Sequence, residues 1–244
     1  MVLIDRVLPE ARYTGGALPE VCGHTFYCAP LNEQSVVVDL GGSLGFFSHA
    51  LSDLKNCTCH VVEATSGNFQ GMELSKGMFK YHHAITGADG PVDFLIPEGE
   101  DYHWGLLAEP GDIPVGTTEM VPGITLESFL EARNIDRIDL LKVDIEGAEI
   151  DMFDSTSDQT LRAIGQITIE FHDFIAPKMA SDVERIKARL SGLGFACIVF
   201  TRHFHGDVLF INRDLVTLSN WRLMMLAGPI KYLRGLRRII DRIK

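Results

Sequence analysis

Apolar positions along the chain gather in short runs set between longer amphipathic stretches, the layout of alternating strands and helices. The clearest run, Val36-Val37-Val38, stops at Asp39 and passes at once into Gly41-Gly42-Ser43-Leu44-Gly45. Strands covered on both faces read as such continuous runs. The same pattern predicts strands over 57–63, 80–86, 139–145 and 164–171, and a helical period predicts helices over 46–54, 68–76, from Thr125, and over 181–193. Thr125 and Ser181 are placed as N-caps, and Gly192 or Gly194 as a terminator. After a turn at Gly87-Ala88-Asp89-Gly90, residues 92–96 form a short extra strand. Residues 97–123, rich in Gly, Pro, Glu and Asp, are too long for an ordinary connection and form a substrate loop or a hairpin excursion. Runs at 195–201 and 207–211 pair as a closing hairpin. The implied fold is α/β: a doubly wound, mostly parallel seven-stranded sheet with helices on both faces and an antiparallel hairpin at its end.

Composition narrows this only slightly. With 244 residues and 46% hydrophobic content, one core is expected. No stretch approaches the roughly 20 apolar residues of a membrane span, and the first residues lack a signal-peptide layout, so a cytoplasmic protein is expected. The five cysteines (Cys22, Cys28, Cys57, Cys59, Cys197) have no metal-site spacing and read as small core hydrophobes. Charge is more telling. Residues 219–244 carry seven basic side chains and one acidic, a net +6, which leaves −17 for the rest of a chain whose total is −11. So acidic a body is a poor partner for nucleic acid. The chain divides into a domain over 1–218 and a basic amphipathic tail over 219–244, in which Leu233, Leu236, Ile240 and Ile243 recur at helical steps after Pro229. The tail packs on its own domain, forms a homo-oligomer contact, or lies on an anionic membrane.

In open α/β sheets ligands bind beyond the carboxyl ends of the strands. The glycine turn after Val38 lets backbone approach a ligand, and Glu63 closes the next strand 24 residues beyond Asp39, where a carboxylate holds a ribose. A dinucleotide fingerprint starting at Gly41 would need glycine at Ser43 and Phe46, which disfavours a nicotinamide cofactor. The spacing Asp-x-Gly-x-Ser-x-Gly is instead close to the loop of S-adenosylmethionine (SAM) enzymes.

Farther on, Asp139, Leu141, Lys142, Asp144, Glu146, Gly147 and Glu149 match the pattern D-x-L-K-x-D-x-E-G-x-E. This resembles the signature of the FkbM-type methyltransferase family, and residues 39–45, 61–68 and 167–172 resemble its glycine loop, ribose segment and following strand. Ala64 stands where family members often carry proline. The resemblance implies a SAM-dependent O-methyltransferase with hydroxyl acceptors on sugars, glycans or secondary metabolites. A lipid-linked or protein acceptor and a non-catalytic nucleotide-binding module are the other readings. Cofactor contacts are expected from Asp39 (facing the methionine ammonium), Gly41, Gly42, Ser43, Glu63, Ala64, Ala84 and Asp144.

Methyl transfer to a hydroxyl needs alignment and a base. His172 is the preferred base, because imidazole titrates nearest neutral pH; Glu170, two residues earlier, would orient it. A half-buried structural histidine is the competing reading. Asp144 and Glu170 could also hold Mg²⁺, unless Lys142 and the Glu146/Glu149 pair merely neutralise one another. His103 and Trp104 suit stacking on a sugar. His82-His83 and His203/His205 are weaker candidates, for adenine contact and metal ligation respectively.

Overall fold

The computed structural model describes residues 16–97, 106–107, 116–173, 179–201 and 204–233. A short hairpin, β1 (Glu20–Val21) and β2 (His24–Thr25), precedes β3 (Val36–Leu40), α1 (Phe46–Lys55), β4 (Thr58–Glu63), α2 (Ser66–Gly71) and β5 (Met78–His82). The chain then leaves the main sheet through β6 (Ala84–Ile85), β7 (Gly90–Pro97), β8 (Leu106–Leu107) and β9 (Gly116–Ile124). It returns with α3 (Leu126–Arg133), β10 (Leu140–Val143), α4 (Glu149–Ser155), α5 (Asp158–Arg162) and β11 (Gln166–Ile169). Then come α6 (Met179–Gly192), β12 (Phe195–Val199), β13 (Val208–Asn212) and α7 (Asn220–Met225), which continues as π-helix over Leu226–Ile230.

The main sheet has seven strands in the order β12-β13-β11-β10-β3-β4-β5. Those from β5 to β11 are parallel, while β13 runs antiparallel to both β11 and β12. This is the expected doubly wound sheet with its closing hairpin. The order reverses beside β3, whose neighbours are β4 and β10, so the crevice that binds ligands in such sheets opens there. Val37, Val38, Leu40, Leu140, Leu141, Val143, Ile167 and Ile169 are fully buried, as continuous apolar runs covered on both faces require. Helix α1 packs Phe47 and Leu51 on one face and α6 packs Val183, Ile186 and Leu190 on the other, each an apolar stripe at helical spacing.

Several expected boundaries move for identifiable reasons. The run over 80–86 is broken at His83: Ala84 and Ile85 turn away to pair with Gly123 and Ile124 of β9. The stretch 97–123 takes the hairpin alternative, β9 pairing antiparallel with β7 from Gly90–Gly123 to Pro97–Gly116. The helix expected over 68–76 spans only Ser66–Gly71. Lys80 Nζ donates to the carbonyls of Phe69 (2.6 Å) and Met72 (2.8 Å), holding the helix end where basic groups suit the exposed carbonyls. Thr125 caps α3 as expected, accepting from Ser128 N. Ser181 does not cap α6, since it lies inside a helix that includes Met179. Gly194, at φ +93°, follows that helix.

Of the cysteines, Cys57 and Cys59 are buried with their sulfurs 3.9 Å apart, but Cys197 is exposed rather than a core residue. The carboxyl-terminal helix starts well before Pro229, with Ser219 Oγ accepting from Arg222 N, and Pro229 lies inside the π-helical turn. Leu226 is fully buried among Leu18, Tyr27, Ile198, Leu209 and Ile211, so this segment packs on the same core as the strands. Leu236, Ile240 and Ile243 lie outside the described residues, as do His103, Trp104 and His203.

Candidate active site

Parallel register builds the site from below. Lys142 in β10 stands opposite Asp39 in β3, and its buried ammonium lies 3.3 Å from Asp39 Oδ1 and 3.5 Å from Asp144 Oδ2. It also donates to the Gly41 carbonyl at 2.6 Å. Burial alone would lower the Lys142 pKa, but the Asp39 and Asp144 charges outweigh it and raise the value. Asp39, with no exposed surface, receives Ser48 Oγ at 2.8 Å. The expectation that it faces a methionine ammonium is therefore corrected: it lies beneath the glycine loop as the partner of a buried lysine. Lys142 likewise does not neutralise Glu146 and Glu149.

Gly41, at φ +73°, is packed so closely on the next loop that a Cβ there would lie 1.7 Å from the Asp144 carbonyl oxygen. Backbone against backbone is what demands glycine at this position. The loop is tied to β4 through Glu63, whose buried carboxylate accepts from Ser43 N (2.8 Å) and Thr65 N (2.7 Å). Burial raises the Glu63 pKa against these two hydrogen bonds.

Beyond β10 the chain turns through Glu146 (φ +53°) and Gly147 (φ +103°). A non-glycine residue in this region is strained, and such strain gathers at functional sites. The turn aims Glu146 at His172 Nε2 (3.0 Å), while fully buried Glu149 meets His172 Nδ1 at 2.8 Å. Burial would lower the His172 pKa, but the two carboxylates dominate and push it up to about 11. His172 is thus an imidazolium clamped between carboxylates, with no lone pair near neutral pH. With both ring nitrogens taken up by carboxylates, the arrangement does not offer His172 as the base expected from its position. Nor does Glu170 orient it, because both ring nitrogens face Glu146 and Glu149.

Glu170 follows β11, half-buried, and among the described residues its carboxylate takes no hydrogen bond. Burial and then the Asp144 charge raise its pKa, with His172 opposing. Asp144 shows the reverse. Burial would raise its pKa, but Lys142 and His24 overcome this and hold the carboxyl below the ordinary range.

His24, which sequence reasoning missed, comes from the amino-terminal hairpin. It is buried, with Nε2 3.4 Å from Asp144 Oδ2. Its neighbour Thr25 fixes it there through two hydrogen bonds to Asp207, from N (3.0 Å) and Oγ1 (2.6 Å). Strands of two residues carry no periodic signal, so nothing in the pattern announced this histidine.

An open cleft, about 590 Å³ with the solvent space at its mouth, runs between the glycine loop, Glu63 and the Asp144–Glu146 turn, while Glu170, His24 and His172 stand behind its wall rather than in its lining. Of the expected cofactor residues, Gly41, Ser43, Glu63, Ala64, Ala84 and Asp144 line it. Asp39 and Gly42 do not; a Cβ on Gly42 would meet Val61 Cγ1 at 2.0 Å. Ile85 and Phe94, brought by the β6–β9 excursion, add apolar wall that sequence reasoning had not assigned to the site. His83 lines the cleft too, whereas His82 stacks on Phe69 (5.0 Å) and bonds to the Ala64 carbonyl. His205 pairs with Asp173 at 2.7 Å, as a latch rather than a metal ligand.

Residues 39–197 match the methyltransferase FkbM domain. No curated protein sequence matches the chain. Among solved structures, the chain is similar to a precorrin-6y C5,15-methyltransferase from Geobacter metallireducens GS-15, with 12% identity and a TM-score of 0.41 over 75% of this chain and 80% of that one. It is also similar to M. capricolum TrmK in complex with S-adenosyl-homocysteine, with 9% identity and a TM-score of 0.42 over 88% of this chain and 83% of that one. The domain match, which spans more than half of the sequence and takes in the glycine loop, Glu63, the Asp144 turn and Glu170, places the chain in the FkbM methyltransferase family, as a SAM-dependent methyltransferase.

Proposed function

We propose that the protein methylates a hydroxyl oxygen of a sugar, glycan or secondary-metabolite acceptor, with Glu170 taking the hydroxyl proton. SAM supplies an electrophilic methyl group on a sulfonium. The residues present fit it: Ala64, Ala84, Ile85 and Phe94 offer an apolar wall for a purine, and Asp144 and Glu146 favour a cationic ligand. Glu63 has carboxylate lone pairs left for ribose hydroxyls after its two backbone hydrogen bonds. The observation that supports oxygen as the acceptor is Glu170, a carboxylate without a hydrogen bond from the described residues and with a raised pKa. A carboxylate tuned toward neutrality is what general-base removal of a hydroxyl proton calls for. A screen of glycan and polyol acceptors with methyl-labelled SAM tests the reading. Transfer to oxygen is expected, and product methylated only on nitrogen or carbon overturns it.

Glu63→Ala should weaken SAM binding by about 2 to 3 kcal/mol, because ribose hydroxyls in a confined site would lose a charged acceptor. Titration calorimetry reads this directly, and unchanged affinity would sink the ribose assignment. No helix among the described residues is long and apolar enough to cross a membrane.

One observation favours a second arrangement. Donor atoms of His24, Asp144 and Glu170 all lie within 4.8 Å of one another, as do those of Asp144, Glu146 and His172. The first set could hold a divalent cation that binds the acceptor hydroxyl. Its imidazole suits Mn²⁺ or Zn²⁺ better than Mg²⁺, which prefers oxygen ligands. Lys142 already supplies a cation 3.5 Å from Asp144, so proton removal by Glu170 is the preferred reading. Turnover is therefore expected to survive EDTA. Loss on chelation, restored by Mg²⁺ or Mn²⁺, would transfer Glu170 from base to ligand.

A further inference from the structure

We propose that the outward face of the carboxyl-terminal helix docks on an anionic lipid surface. Along residues 220–233 the inward face is already satisfied, with Leu226 fully buried and Leu223 and Ile230 packed against the same cluster. The other side leaves Trp221 (68% exposed), Met224 (65%), Tyr232 (72%) and Leu233 (65%) facing solvent. Singly exposed apolar residues need no explanation, but four large ones along one short helical segment do. Intramolecular packing, the ordinary fate of an apolar stripe, does not account for them, because this helix spends a different stripe on the core.

Charge decides between the remaining occupants. Residues 219–244 carry seven basic side chains against one acidic, on a chain whose remainder is −17. A twofold dimer through this face would set the same patch against itself, bringing two basic segments together. Anionic headgroups instead complement them, and each Lys or Arg near such a surface adds attraction. Trp and Tyr beside Lys and Arg is also the composition that settles at a headgroup boundary. The acidic body would be repelled by the same surface, which orients the molecule with this end down.

The test uses the full chain and needs no acceptor. The chain has two tryptophans, Trp104 and Trp221, so Trp104→Phe leaves Trp221 as sole reporter. Its emission should shift to shorter wavelength with vesicles of phosphatidylcholine containing one third phosphatidylglycerol, and not with phosphatidylcholine alone. Co-sedimentation with the mixed vesicles should fall roughly ten-fold or more in Trp221→Ser/Met224→Ser, in Lys231→Glu combined with removal of residues 234–244, and in molar salt. Both Trp221 and Met224 are exposed, so the double variant should retain its SAM affinity, which serves as the control for folding. Equal binding to neutral vesicles overturns the proposal, as does absence of any shift. A dimer in sedimentation equilibrium that the double variant converts to monomer overturns it in favour of a second copy, and emission already at short wavelength without vesicles does so in favour of another segment of the chain.

Discussion

Gly41→Val is expected to unfold or severely destabilise the protein before any question of cofactor binding arises. The collision is with the carbonyl oxygen of Asp144, 1.7 Å from where a Cβ would stand, and neither β3 nor β10 can give way without breaking its ladder. The residue also sits at φ +73°, where a β-branched side chain is a genuine outlier. A cost on the order of 4 kcal/mol or more is expected, in the range reached only by a few mechanisms of this kind. Gly41→Ala should be nearly as damaging, since the clash begins at Cβ and not at the branch. Gly67→Ala, with nothing within 4 Å of its Cβ, supplies a near-neutral control. Denaturant melts of the ligand-free protein check this. A Gly41→Ala chain as stable as the parent, yet unable to bind SAM, would show that the glycine serves ligand approach instead.

The contrast shows which parts of the site could be read from residue order. The positions of Gly41, Ser43 and Glu63 were legible because they lie at the ends of adjacent parallel strands, where one rule ties burial pattern to position, whereas Asp39, at the same strand end, was given a ligand in place of its buried partner Lys142. Glu170 was placed beyond its strand by the same rule, but not with its neighbours, since it does not reach either ring nitrogen of His172. His172 was located without its partners Glu146 and Glu149, because their approach depends on a turn with two consecutive positive φ values that strand periodicity does not encode. The Lys142 pairing was misassigned in the same way: it follows from the register between β10 and β3, a long-range quantity. His24 was invisible, since its place depends on Thr25 bonding to Asp207, 182 residues away. The strand over 80–86 failed at His83 because the β7–β9 excursion captured Ala84 and Ile85, a tertiary competition that local propensity cannot foresee.

Substituting Glu170 and His172 should separate the base from its neighbour. Glu170→Gln keeps size and removes the proton acceptor, so turnover should fall by roughly 100-fold or more with SAM affinity unchanged. In the parent enzyme, turnover should decline as pH falls through a Glu170 pKa raised above the ordinary carboxylate value, with no limb belonging to a histidine near 6.5. His172→Ala should act on stability first. It strands Glu149, fully buried, and Glu146 without their cation, and removing one partner of a buried ion pair costs about 3 to 5 kcal/mol. The sign of its pH dependence follows from the direction of the shift. The folded pKa of about 11 stands above the reference 6.5, so the stabilisation is fully present below 6.5 and is lost as pH climbs through 11. The parent should therefore melt progressively earlier in alkali, and the His172→Ala chain should lose that component of the dependence. His172→Gln, an uncharged side chain whose one amide nitrogen replaces only one of the two ring nitrogens, should recover part of the stability and, wherever it folds, most of the turnover. A His172→Gln enzyme that folds like the parent but has lost its turnover, beside a Glu170→Gln enzyme that keeps it, would return the base to His172.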